Sequence, residues 1–232
     1  MTGETDVPKS NRQISMHSEV TRKALHLTSI WIPLFYYYYP QSTVLWILVP
    51  LTAFSLFIDY GRYFSKRINQ FVQKLFGPIL RTHENDRSRM LLSGATYVFI
   101  SALLCILVFP RLIAVSAFAI LIISDTASAL FGRKFGKHKV YDKSIEGAMA
   151  FALTGFIVVL VAPKVYGYWQ EYALGLVAAC VGALIEMLST KLHLDDNLSV
   201  PTSIGLALWG GYWLLAKIDP TLFGDVLARL SP

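Results

Sequence analysis

Apolar positions gather into seven long runs, at residues 24–39, 43–58, 90–109, 112–130, 145–161, 172–188 and 198–216, separated by short polar segments. At about 1.5 Å per residue, most of these runs, with a few flanking residues, can cross a hydrocarbon core of roughly 30 Å. Lipid offers no hydrogen-bond partners to an exposed backbone, so each run is expected to be an α-helix. The pattern predicts an all-α polytopic membrane helix bundle with about seven transmembrane helices. A single membrane domain over 18–218 would stand between a polar tail, 1–17, and a short C-terminal tail, 219–232. The first 17 residues contain no apolar core like that of a signal peptide, so the first run is expected to be retained.

One polar segment differs in kind. Phe64, Ile68, Phe71, Val72, Leu75 and Ile79 repeat at helical spacing, while Arg62, Lys66, Arg67 and Lys74 fall elsewhere. This predicts an amphipathic helix near 62–80 lying in the headgroup layer. A connecting helix packed on the spans is the plainer account.

Composition supports the membrane reading: 54% of the residues are hydrophobic and 16% charged, and mean hydropathy is +0.49, against about 25% charge in an ordinary soluble domain. The formal charge of +6 does not point to nucleic acid, because the cations sit in the segments between runs. With the N-terminus cytoplasmic, 17 of the Lys and Arg residues fall inside and 4 outside, the asymmetry that orients membrane proteins. Cys105 and Cys180 both lie in apolar runs, which suits neither a disulfide framework nor a zinc site.

Seven spans leave no room for a separate soluble domain, so any chemistry must come from helix ends and cytoplasmic loops. Asp125 and Glu186 lie inside apolar runs, where acids are costly and usually functional. Pairing with a neighbouring helix's Lys, Ser or Asn is the structural alternative. After Asp125 comes Gly132-Arg133-Lys134-Phe135-Gly136-Lys137-His138-Lys139, then Lys143-Ser144-Ile145-Glu146-Gly147. A glycine-containing basic loop leading into a helix N-terminus suits a polyphosphate. It is not a Walker A loop: the glycines are one residue too close, and neither Ser nor Thr follows Lys137. Glu146 has a simpler role available, offsetting the helix dipole. Asp195-Asp196-Asn197 at the start of the last run offers hard oxygen ligands for Mg²⁺, or merely a helix cap. Arg22, Lys23 and His26 lead into the first run, His26 about a turn inside it.

Taken together, Arg22-Lys23-x-x-His26, Ser124-Asp125 through Gly132-Arg133-x-Phe135-Gly136-Lys137 to Lys143-Ser144-x-Glu146-Gly147, and Glu186 followed by Asp196-Asn197-Leu198-x-Val200-Pro201 resemble the CTP-dependent lipid-alcohol kinases, the family of dolichol kinase, phytol kinase and yeast-type diacylglycerol kinase. Gly94-Ala95-Thr96-Tyr97 also looks like that family. The resemblance implies CTP as phosphoryl donor, Mg²⁺ as cofactor and a long-chain lipid alcohol as acceptor. It makes Asp125, Glu186 and Asp196 the expected metal ligands. Arg22, Lys23, Arg133, Lys134, Lys137 and Lys143 would then bind phosphates, with Asn197 orienting a phosphate or the base. Glu146 or Asp125 would take the alcohol proton, with Lys143 and His26 beside the reaction. The middle stretch also resembles phosphatidate cytidylyltransferase, but Pro201 is followed by Thr202-Ser203-Ile204-Gly205 rather than that family's glycine- and histidine-bearing continuation.

Intramembrane acids also suit an ion-coupled transporter, although no inverted repeat relates the halves. The external loops are too short for a receptor's ligand capture, and neither Gly-x-Ser-x-Gly nor a His/Cys cluster supports hydrolysis. The expected location is a prokaryotic cytoplasmic membrane, with the chemistry facing the cytoplasm.

Overall fold

A computed structural model of the chain describes residues 16–76, 92–192 and 194–230. It is helical almost throughout: α1 Met16–Thr28, α2 Trp31–Tyr38, α3 Gln41–Phe64, α4 Lys66–Phe76, α5 Gly94–Val108, α6 Arg111–Phe135, α7 Ile145–Val161, α8 Trp169–Leu192, α9 Asp196–Ile218, α10 Pro220–Phe223 and α11 Val226–Leu230. Three of these, α3, α6 and α8, are long and apolar enough to cross a membrane; α5 and α7 are shorter apolar helices.

α6 forms the centre of the bundle, touching α1, α2, α5, α7, α8 and α9. Its apolar window is 67% buried, against 17% for α3. α3 instead turns Trp46, Phe54 and Phe57 outward, as a helix facing hydrocarbon does. Small residues let the helices approach closely: a Cβ on Gly175 of α8 would sit 2.3 Å from a Val159 methyl of α7.

Four features depart from the sequence pattern. The first apolar run, 24–39, is two helices rather than one. Pro33 has no N–H to continue the ladder and its ring crowds the carbonyl four residues back, so bonding tightens beforehand. The Ser29, Ile30 and Ile32 amides accordingly donate three residues back, to His26, Leu27 and Ser29. The amphipathic segment starts at Lys66, not 62: Ser65 is extended, and Arg62 lies buried at the end of α3. Positions 77–80 of that expectation lie outside the described residues. An all-α chain was expected, yet a minimal hairpin pairs β1, Lys139–Val140, with β2, Lys143–Ser144. Finally, the C-terminal segment folds as α10 and α11 against α9, burying Phe223, Val226 and Leu230.

Candidate functional site

The site is built where α1, α6, the hairpin, α8 and α9 meet. Asp125, on the buried face of α6 ten residues before its end, receives Lys23 of α1 at 2.5 Å, and His26 Nε2 lies 3.5 Å from the same Oδ2. Across the cluster, Lys143 of β2 donates to Glu186 of α8 and lies 3.5 Å from Asp196 Oδ2 at the start of α9. Asp196 is also within electrostatic reach of Asp125, Lys23 and His26, so the two halves form one cluster. Asp125, Glu186 and Asp196 are all buried, as is Lys23.

Three carboxylates thus face two ammoniums in a medium where an unpaired charge is strongly disfavoured. Burial alone would drive Lys143 toward neutrality, but Asp196, Glu186 and Asp125 together hold its ammonium above the ordinary lysine value. Asp125 Oδ1, Glu186 Oε2 and His26 Nε2 remain buried with no hydrogen-bond partner. Buried polar atoms without a protein partner are rare, and three gathered in one place make this cluster the candidate site.

Local structure fixes these side chains in place. Asp195 caps α9, accepting from the Asn197 amide at 2.9 Å. The Asn197 side chain donates to Asp195 at 3.0 Å and to Asp196 Oδ1 at 3.3 Å, so Asn197 orients the carboxylates rather than reaching outward. Ser144 caps α7 through the Gly147 amide at 3.1 Å. A Cβ on Gly136 would lie 2.2 Å from the Gly132 carbonyl and 2.6 Å from Ser144 Oγ. The loop's glycines therefore serve close packing of the hairpin onto α6, which brings Lys143 to the acids.

The basic residues divide. Arg22 donates to Glu19 at 2.5 Å, and Arg133 lies 3.9 Å from the same carboxylate, making a second layer beside Lys23. Burial would raise the Glu19 carboxyl, but the bond and charge of Arg22, with Lys23 and Arg133, hold it below its ordinary value. Lys134 and Lys137 are exposed, and Lys134 lies over the Phe135 ring, 5.2 Å from its centroid. Glu146 does not join the cluster. It accepts from the His138 amide at 3.1 Å and meets the His138 ring at 2.7 Å, closing the hairpin.

Sequence reasoning overlooked two buried acids and gave Glu19, also buried, no role beyond its place before the first run. Asp59 of α3 accepts from the Ser93 amide at 2.6 Å and from Thr96 Oγ1 at 2.7 Å, tying α3 to the start of α5. Glu171 accepts from the amides of Val165, Tyr166, Gly167 and Tyr168 and from the Tyr212 hydroxyl, clamping the α7–α8 loop. Their signal was an acid just outside an apolar run, or in a helix's first turn.

The donor set bears on Mg²⁺, the cofactor the sequence resemblance implies. Among the described residues no group of three or more His, Cys, Asp and Glu side chains is placed to hold a metal ion. Mg²⁺ usually takes one or two carboxylates and completes its shell with water and phosphate oxygens. The unpartnered oxygens of Asp125 and Glu186 fit that shared mode, and a closed protein cage is absent among the described residues. A cavity of about 740 Å³ lies at the opposite end of the bundle and takes no part in the cluster.

No protein-family model and no solved structure matches the chain. Uncharacterized protein MJ1137 of Methanocaldococcus jannaschii is 30% identical over 112 residues, covering 47% of this chain and 53% of that protein. Uncharacterized protein RP860 of Rickettsia prowazekii (strain Madrid E) is 31% identical over 190 residues, 82% of this chain and 92% of that protein. At that identity and coverage, the chain belongs to the family of Uncharacterized protein RP860.

Proposed function

We propose that this protein is a membrane kinase that transfers the γ-phosphate of CTP to a long-chain lipid alcohol, with Mg²⁺ as cofactor. The observation that carries the reading is the convergence of Lys23, His26, Asp125, Lys143, Glu186 and Asp196, from five separate elements, into one buried cluster with unpartnered oxygens on Asp125 and Glu186. Phosphoryl transfer is mainly positioning and charge neutralisation, and this cluster supplies both signs of charge.

In this reading Asp125 anchors the divalent cation, with Asp196 and Glu186 beside it; the ion, when bound, neutralises phosphate charge. Lys143 and Lys23 are the inner cations for the phosphates, and Arg22 and Arg133 form the outer layer. Lys134 and Lys137 sit outside that cradle and contribute to the basic surface. Glu146 maintains the hairpin, which leaves Asp125 to take the alcohol proton, with His26 adjacent. Asn197 holds the α9 acids in register.

The proposed topology has the apolar run 24–39, made of the end of α1 and of α2, and α3, α5, α6, α7, α8 and α9 crossing the membrane, with the N-terminus, Glu19 and the acid cluster on the cytoplasmic side of a prokaryotic membrane. The acceptor would enter from the bilayer against apolar helix faces.

The test supplies Mg²⁺, a panel of lipid alcohols and phosphatidate, with CTP labelled in parallel at the γ or the α phosphate. Label from the γ position alone, appearing in an alcohol, supports the kinase. Label from the α position in phosphatidate would establish a cytidylyltransferase instead. The absence of lipid label would favour an ion-coupled transporter, for which buried lysine-paired acids are equally suitable.

A further inference from the structure

A cavity of about 740 Å³ opens at the end of the bundle away from the acid cluster, between α2, the α5–α6 turn and α9. Arg111, at its edge, precedes Asp125 by 14 residues on α6, a separation of about 21 Å along the helix axis. It is therefore a different site from the one proposed for phosphoryl transfer.

Its lining is apolar and aromatic, from Tyr36, Leu206, Trp209 and Trp213, and Gly210 forms part of the wall. A Cβ on Gly210 would meet no atom within 4 Å, so the groove is open there. The Arg111 guanidinium lies 5.5 Å from the Tyr36 ring centroid, and the Lys217 ammonium 3.7 Å from that of Trp213. Among the described residues neither cation is paired with a carboxylate. Tryptophan, tyrosine and basic side chains around an apolar groove at a helix end match the chemistry of a bilayer interface.

We propose that this groove binds one anionic phospholipid, an acyl chain lying along Leu206, Trp209 and Gly210 and the phosphate meeting Arg111, with Lys217 at the rim. The site rests on membrane placement and not on the kinase reading. A chain fills apolar volume that water would otherwise enter, and a phosphate satisfies guanidinium donors bidentately.

The test uses purified full-length protein in mild detergent and native mass spectrometry. Three probes are titrated: phosphatidylglycerol, the O-methyl ether of diacylglycerol with the same chains, and inorganic phosphate. The wild type should bind one phosphatidylglycerol about tenfold more tightly than the neutral ether, since only the phosphate adds charge-assisted hydrogen bonds. Arg111→Gln should remove that preference, and Gly210→Leu, whose side chain enters open space, should weaken both lipids about fivefold or more by occupying the groove. A melting temperature for Gly210→Leu near that of the wild type shows that the variant folds. Equal binding of the two lipids, or an Arg111→Gln variant that keeps the preference, would overturn the proposal. So would displacement of the lipid by equimolar inorganic phosphate, because the groove would then contribute nothing.

Discussion

Lys143→Met removes the ammonium shared by Glu186 and Asp196 while keeping a flexible side chain of similar length. Asp196 Oδ2 is 3.5 Å from Nζ, and Glu186 is closer. At that distance one pair is worth about 5 kcal/mol with an effective dielectric of 20. Part of this only offsets desolvation, and breaking one partner of a buried pair costs about 3–5 kcal/mol. The variant should therefore lose that much stability, because two buried acids are left unneutralised. Glu186→Gln combined with Lys143→Met leaves only Asp196 uncompensated and should regain about half of the loss. Denaturant unfolding in detergent, read by tryptophan fluorescence over a double-mutant cycle, gives both numbers. A single variant within about 1 kcal/mol of the wild type, the size of an exposed pair, would refute the buried-pair argument. A double variant no better than the single would do the same.

Much of the site was legible because polar residues in apolar runs are conspicuous. Asp125 and Glu186 stood out against hydrocarbon, and Lys23, His26, Lys143 and Asp196 stood at run ends. The division of the basic loop was not legible, because it depends on α6 continuing through Arg133 and Lys134 to Phe135. Once the helix extends that far, Lys134 is nine residues beyond Asp125 and faces the opposite way, rotated about 180°, while Arg133 is rotated only about 80°. The absence of Asp, Glu, Lys and Arg between residues 24 and 39 concealed the break at Ser29–Ile30, although Pro33 carried the signal. Asp59 and Glu171 resembled ordinary end charges. Asp59's partners, Ser93 and Thr96, and Glu171's Tyr212 come from distant segments, and Glu171's amide partners are gathered by the fold of the preceding loop, which no hydrophobic pattern announces.

Three further outcomes follow. Glu146→Gln should leave phosphoryl transfer within about fivefold of the wild type, since its partner is His138 rather than the acid cluster, whereas a general base contributes 10²–10⁴-fold, so a loss of about that size in the initial rate would reinstate it. Gly136→Ala should disrupt hairpin packing and lower the melting temperature by several degrees, as its Cβ would lie 2.2 Å from a backbone oxygen; an unchanged melting curve would contradict the close approach. The Glu19 carboxyl is held low by Arg22, so its contribution is present above its unfolded pKa and disappears as pH falls through the folded value. Glu19→Gln should accordingly cost about 1–2 kcal/mol at pH 7, the worth of a charge-assisted hydrogen bond reduced by the partial exposure of Arg22. That deficit should shrink below pH about 4.3, and unfolding curves across pH 3–7 with a constant deficit would count against the pairing.

The central claim, that the acid cluster is where phosphate moves, is tested most directly by γ-labelled CTP with Mg²⁺ and a lipid alcohol, comparing the wild type with Asp125→Asn. The account predicts labelled lipid phosphate from the wild type and a loss of at least about 10³-fold in the folded variant, the scale for a group acting on the reacting centre. Full CTP-dependent turnover by Asp125→Asn would contradict it.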